Sequence, residues 1–261
     1  MSLPALSDWG HTRIALHQAA QVVGAIRKID AEPLPNYLHV ALEVVPAGLT
    51  SGKLAPSIGG ELVLDLPDAA IIYVAPGGDS YSIPIGGNNQ TTLMDAVLDI
   101  MAKSGHPANP DRSKISGEDS LRIHPGMAEE YHITLYTIYT AMARFRARLF
   151  GPMSRMVVWP HGFDLSFLWF ARGFDEGSDP HLNFGFSPGS PGFDRPYVYA
   201  YAHPKPPGMM DIKLPDVARW NTEPWTGIVI DYDSIAGDIN VESTLEQMLL
   251  QIHTGLAPLL L

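Results

Sequence analysis

The stretches Val157-Val158-Trp159-Pro160-His161-Gly162-Phe163-Asp164-Leu165, His181-Leu182-Asn183-Phe184-Gly185-Phe186-Ser187-Pro188-Gly189 and Tyr197-Val198-Tyr199-Ala200-Tyr201-Ala202-His203 read as successive β-strands. Side chains in a strand point to alternate faces, so Leu182, Phe184 and Phe186 share one face while His181, Asn183, Gly185 and Ser187 share the other. The next strand sets Tyr197, Tyr199, Tyr201 and His203 against Val198, Ala200 and Ala202 in the same way. Runs of strands bracketed by helices predict an antiparallel sheet, here with one apolar and one polar–aromatic face. The loop at residues 188–196, longer than the usual hairpin turn, suits a lid or rim.

Working outward, a long helix is predicted before these strands, from about Met127 to Phe150. Tyr131, Leu135, Ile138, Met142, Phe145 and Leu149 fall on one stripe of it. Arg144, Arg146 and Arg148 lie near its end, where cations suit the helix dipole. After the strands come a Pro-rich loop at residues 203–208, a last strand from Ile228 to Tyr232, and a closing helix led by Asn240. The first half repeats this order. A helix from about Trp9 to Ile29 buries Leu16, Ala19, Val22, Val23, Ile26 and Ile29, and it turns Arg13, His17, Gln21, Gly24 and Lys28 away. Strands follow at Asn36–Val45, Glu61–Leu66, Ala70–Ala75 and Tyr81–Ile85, with a turn around Gly48. A helix to Lys103 starts at Thr91 or Thr92. The expected fold is α+β with mainly antiparallel sheets, in two similar halves of helix, about four strands and helix. The halves are residues 1–104 and 127–261, joined by a linker or long excursion at 105–126 and expected to form one compact unit.

With 46% hydrophobic and 17% charged residues, the 261-residue chain belongs with globular proteins and not with disordered ones. Its formal net charge of −11 disfavours nucleic acid, because such binding rests on neutralising phosphates. The absence of cysteine removes disulfides, thiolate catalysis and Cys-ligated zinc. The start shows no basic leader followed by an apolar run, and no apolar run approaches the ~20 residues of a membrane span. A soluble, cytoplasmic protein is expected.

The polar sheet face supplies most of the candidate site: His181, Asn183, Ser187, Tyr199 and Tyr201. Gly185, lacking a side chain in mid-strand, marks a place of close approach. Pro160 and Gly162 break the strand pattern beside Trp159, and breaks of this kind re-aim side chains near sites. His161 and Asp164 could then act as a catalytic acid–base pair, the carboxylate fixing the imidazole tautomer. Alternatively Asp164 caps the turn. His161 and Asp164 could equally offer two ligands to a metal. His-x-x-Asp alone is weak, however, and a third ligand would have to come from His181 or His203, so no metal site is assigned. The sequence leaves any cofactor unknown. Arg27 falls on the buried side of its helix, as a snorkelling side chain or as an anion clamp. Ser187-Pro188-Gly189 lacks the flanking glycines of a nucleophile elbow.

Several segments resemble an uncharacterised bacterial family with a domain of unknown function. They are Leu16-His17, Gln21, Val23-Gly24, Ile26-Arg27, Asn36, His39-Val40, Leu42 and Gly48-Leu49-Thr50. In the second half they are Phe145-Arg146-Ala147-Arg148, Phe163-Asp164-Leu165, Ser187-Pro188-Gly189, Pro196-Tyr197 and Tyr199-Ala200-Tyr201. The likeness covers nearly the whole chain. It implies a single fold and draws attention to His17, Arg27, His39 and Asp164, but it carries no activity. Similar chains often have Lys where this one has Ala25. The leading expectation is a small-ligand-binding protein with its site on the polar sheet face of the C-terminal half. The rivals are a hydrolase or isomerase using His161 and Asp164, and a protein-interaction module presenting the tyrosines and the Pro-rich loop.

Overall fold

A computed structural model describes residues 2–261. The fold is α+β with two antiparallel sheets, as expected, and the sheets have five and six strands. By contacts the chain divides into two compact units: Leu6–Tyr136 with Val158–Phe163, and residues 2–5 with Thr137–Val157 and Asp164–Leu261.

In the first unit α1 (Gly10–Arg27) precedes β1 (Glu43–Val45), β2 (Gly48–Lys53), β3 (Glu61–Asp65), β4 (Ala70–Val74), β5 (Ser80–Pro84) and α2 (Gln90–Lys103). The strands lie in sequence order, each antiparallel to the next, as short turns require. Helix α1 packs on β2 and β3, and α2 packs on β4 and β5. Leu16, Ala19, Val22, Val23 and Ile26 of α1 are fully buried, as are Leu62 and Leu64 of β3. Asn89 opens α2 with a reciprocal cap. Its side chain accepts from the Thr92 N–H at 2.8 Å, and its own N–H donates to the Thr92 hydroxyl at 2.9 Å.

One local expectation is corrected here and another is refined. Asn36–Val45 is a strand only from Glu43 onward. Pro35–Val40 forms helical turns, with Asn36 and Tyr37 in the left-handed region at φ 55° and 57°. None of Pro35–Val40 is buried, so the alternation there has no core to serve. The turn expected around Gly48 is the two-residue turn Pro46-Ala47, which joins β1 to β2 with Val45 opposite Gly48, and Gly48 itself begins the strand. Gly48 sits at φ +139°, where a Cβ would lie 2.3 Å from the Leu64 carbonyl oxygen, and a register shift follows Thr50. Glycine thus marks close backbone approach and a bulge inside β2.

Residues 105–124 have neither helix nor strand, yet they are tied to the first unit. Ile115 and Leu121 are buried. The Leu121 N–H donates to Asn88 O at 2.7 Å, and the His124 N–H donates to the Thr12 hydroxyl at 3.0 Å. Val158 exchanges two 2.8 Å backbone hydrogen bonds with Leu42, which brings Val158–Phe163 into this unit.

Helix α3 (Pro125–Arg146) carries the division between Tyr136 and Thr137. The second sheet has the order β10-β11-β9-β8-β7-β6, from β6 (Val157–Trp159), β7 (Asp164–Phe170), β8 (His181–Ser187), β9 (Tyr197–His203), β10 (Ala218–Asn221) and β11 (Gly227–Asp231). Its apolar face meets α4 (Val241–Leu256) and the end of α3, where Phe145 stands edge-on to Phe184 at 4.8 Å. Arg144 and Arg148 both donate to the buried Glu246, at 2.9 and 3.0 Å, so these cations have a structural partner. The edge strand β10, short and polar, was not expected. It is held by pairing with β11 and by the Arg219–Asp231 ion pair at 2.9 Å. No helix is long and apolar enough to cross a membrane among the described residues.

Candidate functional site

The first unit has an open cleft of about 670 Å³ beside α1. One wall is the stripe Gln21, Gly24, Ala25 and Lys28, continued by Ile29 and Asp30. The wall facing it comes from Asn109, Asp111, Lys114 and Ile115, while Val40, Pro160 and His161 complete the lining. Helical geometry explains the first wall. His17, Gln21, Gly24 and Lys28 follow one another at intervals of four, three and four residues, which places them in one row.

Gly24 is buried because Pro160 lies on it: a Cβ would sit 2.6 Å from the proline Cγ. That contact seats the turn of Trp159-Pro160-His161-Gly162-Phe163 on α1. The Gly162 and Phe163 N–H groups close the turn by donating to Trp159 O, at 3.2 and 2.7 Å. Phe163 takes φ +59°, unusual for a side chain of that size, and its ring is fixed by burial. It stacks on His17 with centroids 5.6 Å apart and leans on Tyr131 at 5.4 Å. His17 Nε2 lies 3.1 Å from both Pro160 O and His161 O. Burial lowers the His17 pKa below its ordinary 6.5, with Arg13 and His161 adding to the shift, so His17 is neutral at pH 7.

Charge gathers at the mouth of the cleft. Lys28, Lys114, Asp30, Asp111, Asn109 and His161 are all exposed. Asp111 accepts from the Ser113 N–H at 2.9 Å and from its hydroxyl at 3.0 Å. These bonds, with Lys28 and Lys114 nearby, hold its carboxyl below the usual range. Asp30 accepts from the Ser57 hydroxyl at 2.8 Å. Neither lysine forms a salt bridge among the described residues. Gly24, Ala25, Ile29, Val40, Ile115 and Pro160 give the interior an apolar surface.

Of the residues singled out in the sequence, His161 lines this cleft and His17 braces it. Trp159 is half-buried, 6.2 Å from the His161 ring. His39 Nδ1 accepts from the Leu34 N–H at 3.2 Å and so organises the turn leading to Val40. Arg27 is half-buried on the opposite side of α1, where a Cβ on Gly52 would lie 3.4 Å from its Nη1.

The others belong to the polar sheet face of the second unit. Gly185 pairs with Tyr199, Asn183 with Tyr201, and Ser187 with Tyr197. The space over Gly185 is filled by the protein itself, since a Cβ there would lie 2.2 Å from Tyr199 Cζ. The Tyr199 hydroxyl donates to Asp164 Oδ2 at 2.5 Å. Burial, and then the Asp164 charge, raise the Tyr199 pKa well above 10 and keep that proton in place. Asn183 Nδ2 donates to the Tyr201 hydroxyl at 2.8 Å, while its buried Oδ1 has no partner. Ser187 Oγ accepts from the Gly189 N–H at 3.2 Å, a turn bond. His181 is buried against Phe170, with its Nδ1 2.9 Å from Asp179 O. Phe193 and Trp225 pack on Tyr197, Tyr199 and Val229.

Sequence reasoning did not find Gln21, Lys28, Asn109, Lys114 or Ile115 as site residues. The available signals were the glycine within the polar stripe of α1 and the isolated Ile115 in a polar stretch. Among the described residues no group of three His, Asp or Glu side chains is placed to hold a metal ion.

Fold and cleft together define an α+β protein with a ligand-sized cleft beside its N-terminal helix. The chain belongs to the family of unknown function DUF5996, whose model matches residues 2–257. No curated protein and no solved structure matches it.

Proposed function

We propose that this chain is a small-ligand-binding protein whose site is the cleft beside α1. The observation that carries this reading is the cleft itself. Its volume of about 670 Å³ lies within the range of small-molecule pockets, and it combines an apolar lining with a few converging polar groups. A soluble, cytoplasmic bacterial protein is part of the same reading, in keeping with the net charge of −11. Ala25 is a half-buried lining residue, so Ala25→Trp should fill the cleft while leaving the buried face of α1 untouched. In a thermal-shift screen of metabolites, compounds that raise the Tm of the wild-type protein should fail to raise that of the variant. Hits that stabilise both proteins equally, or a screen without hits, would count against the cleft.

A second reading keeps the ligand on the polar sheet face of the second unit. It is favoured by the unpartnered Oδ1 of Asn183, which could accept a bond from a bound molecule. In that case Asn183→Ala abolishes the same thermal shifts and Ala25→Trp does not.

A further inference from the structure

We infer that the cleft takes an organic carboxylate with an apolar body; this rests on the reading of the cleft as a ligand site. The chemistry follows from the direction of a hydrogen-bond relay. The Ser116 and Gly117 N–H groups point at Gln90 Oε1, at 3.2 and 3.0 Å. A main-chain N–H can only donate, so the oxygen of Gln90 faces them and its amide nitrogen faces the other way. That nitrogen donates to Gln21 Oε1 at 2.7 Å. The orientation of Gln21 is thereby set as well, and its Nε2 lies 3.3 Å from His17 Nε2.

The hydrogen on His17 is assigned by its other neighbours. Two carbonyl oxygens, of Pro160 and His161, lie 3.1 Å from His17 Nε2, and carbonyls only accept. A hydrogen on Nε2 satisfies both. A bare Nε2 would leave two lone-pair contacts in exchange for one bond from Gln21. With Nε2 protonated, the Gln21 amide meets a donor with a donor, and its hydrogens have no acceptor among the described residues. Gln21 lines the cleft, so the missing acceptor is one that a ligand can supply.

The mouth also offers cations. Lys28 lies on the same row of α1 as Gln21, and Lys114 is on the wall from residues 109–115; both ammonium groups lack a salt-bridge partner. Of the two carboxylates there, Asp30 accepts from Ser57, and Asp111 accepts from Ser113 while also lying near both lysines without a salt bridge to either. An acceptor group with negative charge suits the amide and the lysines, and an alkyl or aryl body suits Ala25, Ile29, Val40 and Ile115.

Matched pairs test this: 3-phenylpropanoate against 3-phenylpropanamide, and octanoate against octanamide, titrated calorimetrically into the full chain. The acids should bind about tenfold tighter than their amides, as two exposed cations allow. The double variant K28A/K114A, altering exposed side chains, should keep its Tm and lose that preference. Acids and amides binding alike, with binding abolished by Ala25→Trp, would overturn the carboxylate and leave the cleft as a site. Failure of both acids to bind would overturn the carboxylate too, and the cleft would then stand or fall by the metabolite screen. A preference unchanged in K28A/K114A would also contradict it.

Discussion

Three histidines are held in the folded protein below their ordinary pKa of 6.5. For His17 and His181 burial is the leading cause, and for His253 it is the one cause. The unfolded chain therefore binds more protons than the folded one in the window just below pH 6.5, and acidification through it favours unfolding. The urea midpoint should fall between about pH 7.5 and about pH 5.5, while lowered carboxyl groups such as Asp179 act only near pH 4 and below. His253 separates this cause from others. Its ring packs at 4.7 Å on Trp169, its Nε2 has no partner, and Phe can take its place without losing a bond. His253→Phe should make the fall shallower; an unchanged fall would refute the assignment. At this scale the sequence was partly legible. His17 and His161 were visible as candidates, but their meeting depends on Pro160 resting on Gly24, which no local pattern announces. Asp164 was read as the partner of an imidazole or as a turn cap; its bond from Tyr199, a residue of another strand, was not visible in the sequence.

Among the elements, β8 and β9 depend on one small residue. Gly185 lies opposite Tyr199, whose ring occupies the volume a side chain would need. Gly185→Ala should cost about 1–3 kcal/mol, as overpacking of a filled core does. In a Tyr199→Ala background the same change should cost less, a non-additivity that denaturant midpoints will measure. A Gly185→Ala protein as stable as the wild type would show that the ring moves aside freely. The close approach at Gly185 was legible as a glycine in mid-strand; its cause was not, since register between strands is invisible in one of them. Helices with a strong apolar stripe were legible for the same reason that they form: one face must be buried. β2 and β10 were hidden by composition. Two glycines kept β2 from reading as a strand, and Arg219 with Asn221 made β10 look like surface, although pairing and one ion pair hold it.

For the whole molecule, alternation and helical periodicity were enough to place the chain among α+β folds. The cleft was beyond such reasoning, because its lining comes from residues near 21–30, 109–115 and 160–161, brought together only by folding. The polar stretch at 105–126 has the composition of a connector, and Ile115 and Leu121 turn part of it into a wall. The polar sheet face had the opposite fate. Its groups are largely occupied with one another, Tyr199 with Asp164 and Tyr201 with Asn183. The most direct measurement is therefore a ¹H–¹⁵N correlation spectrum of the full chain, recorded with increasing 3-phenylpropanoate. If the cleft binds it, saturable shifts should concentrate at the amides of Gln21, Ala25, Lys28, Ile115 and His161. Shifts centred on Asn183, Tyr199 and Tyr201, or none at all, would contradict the account.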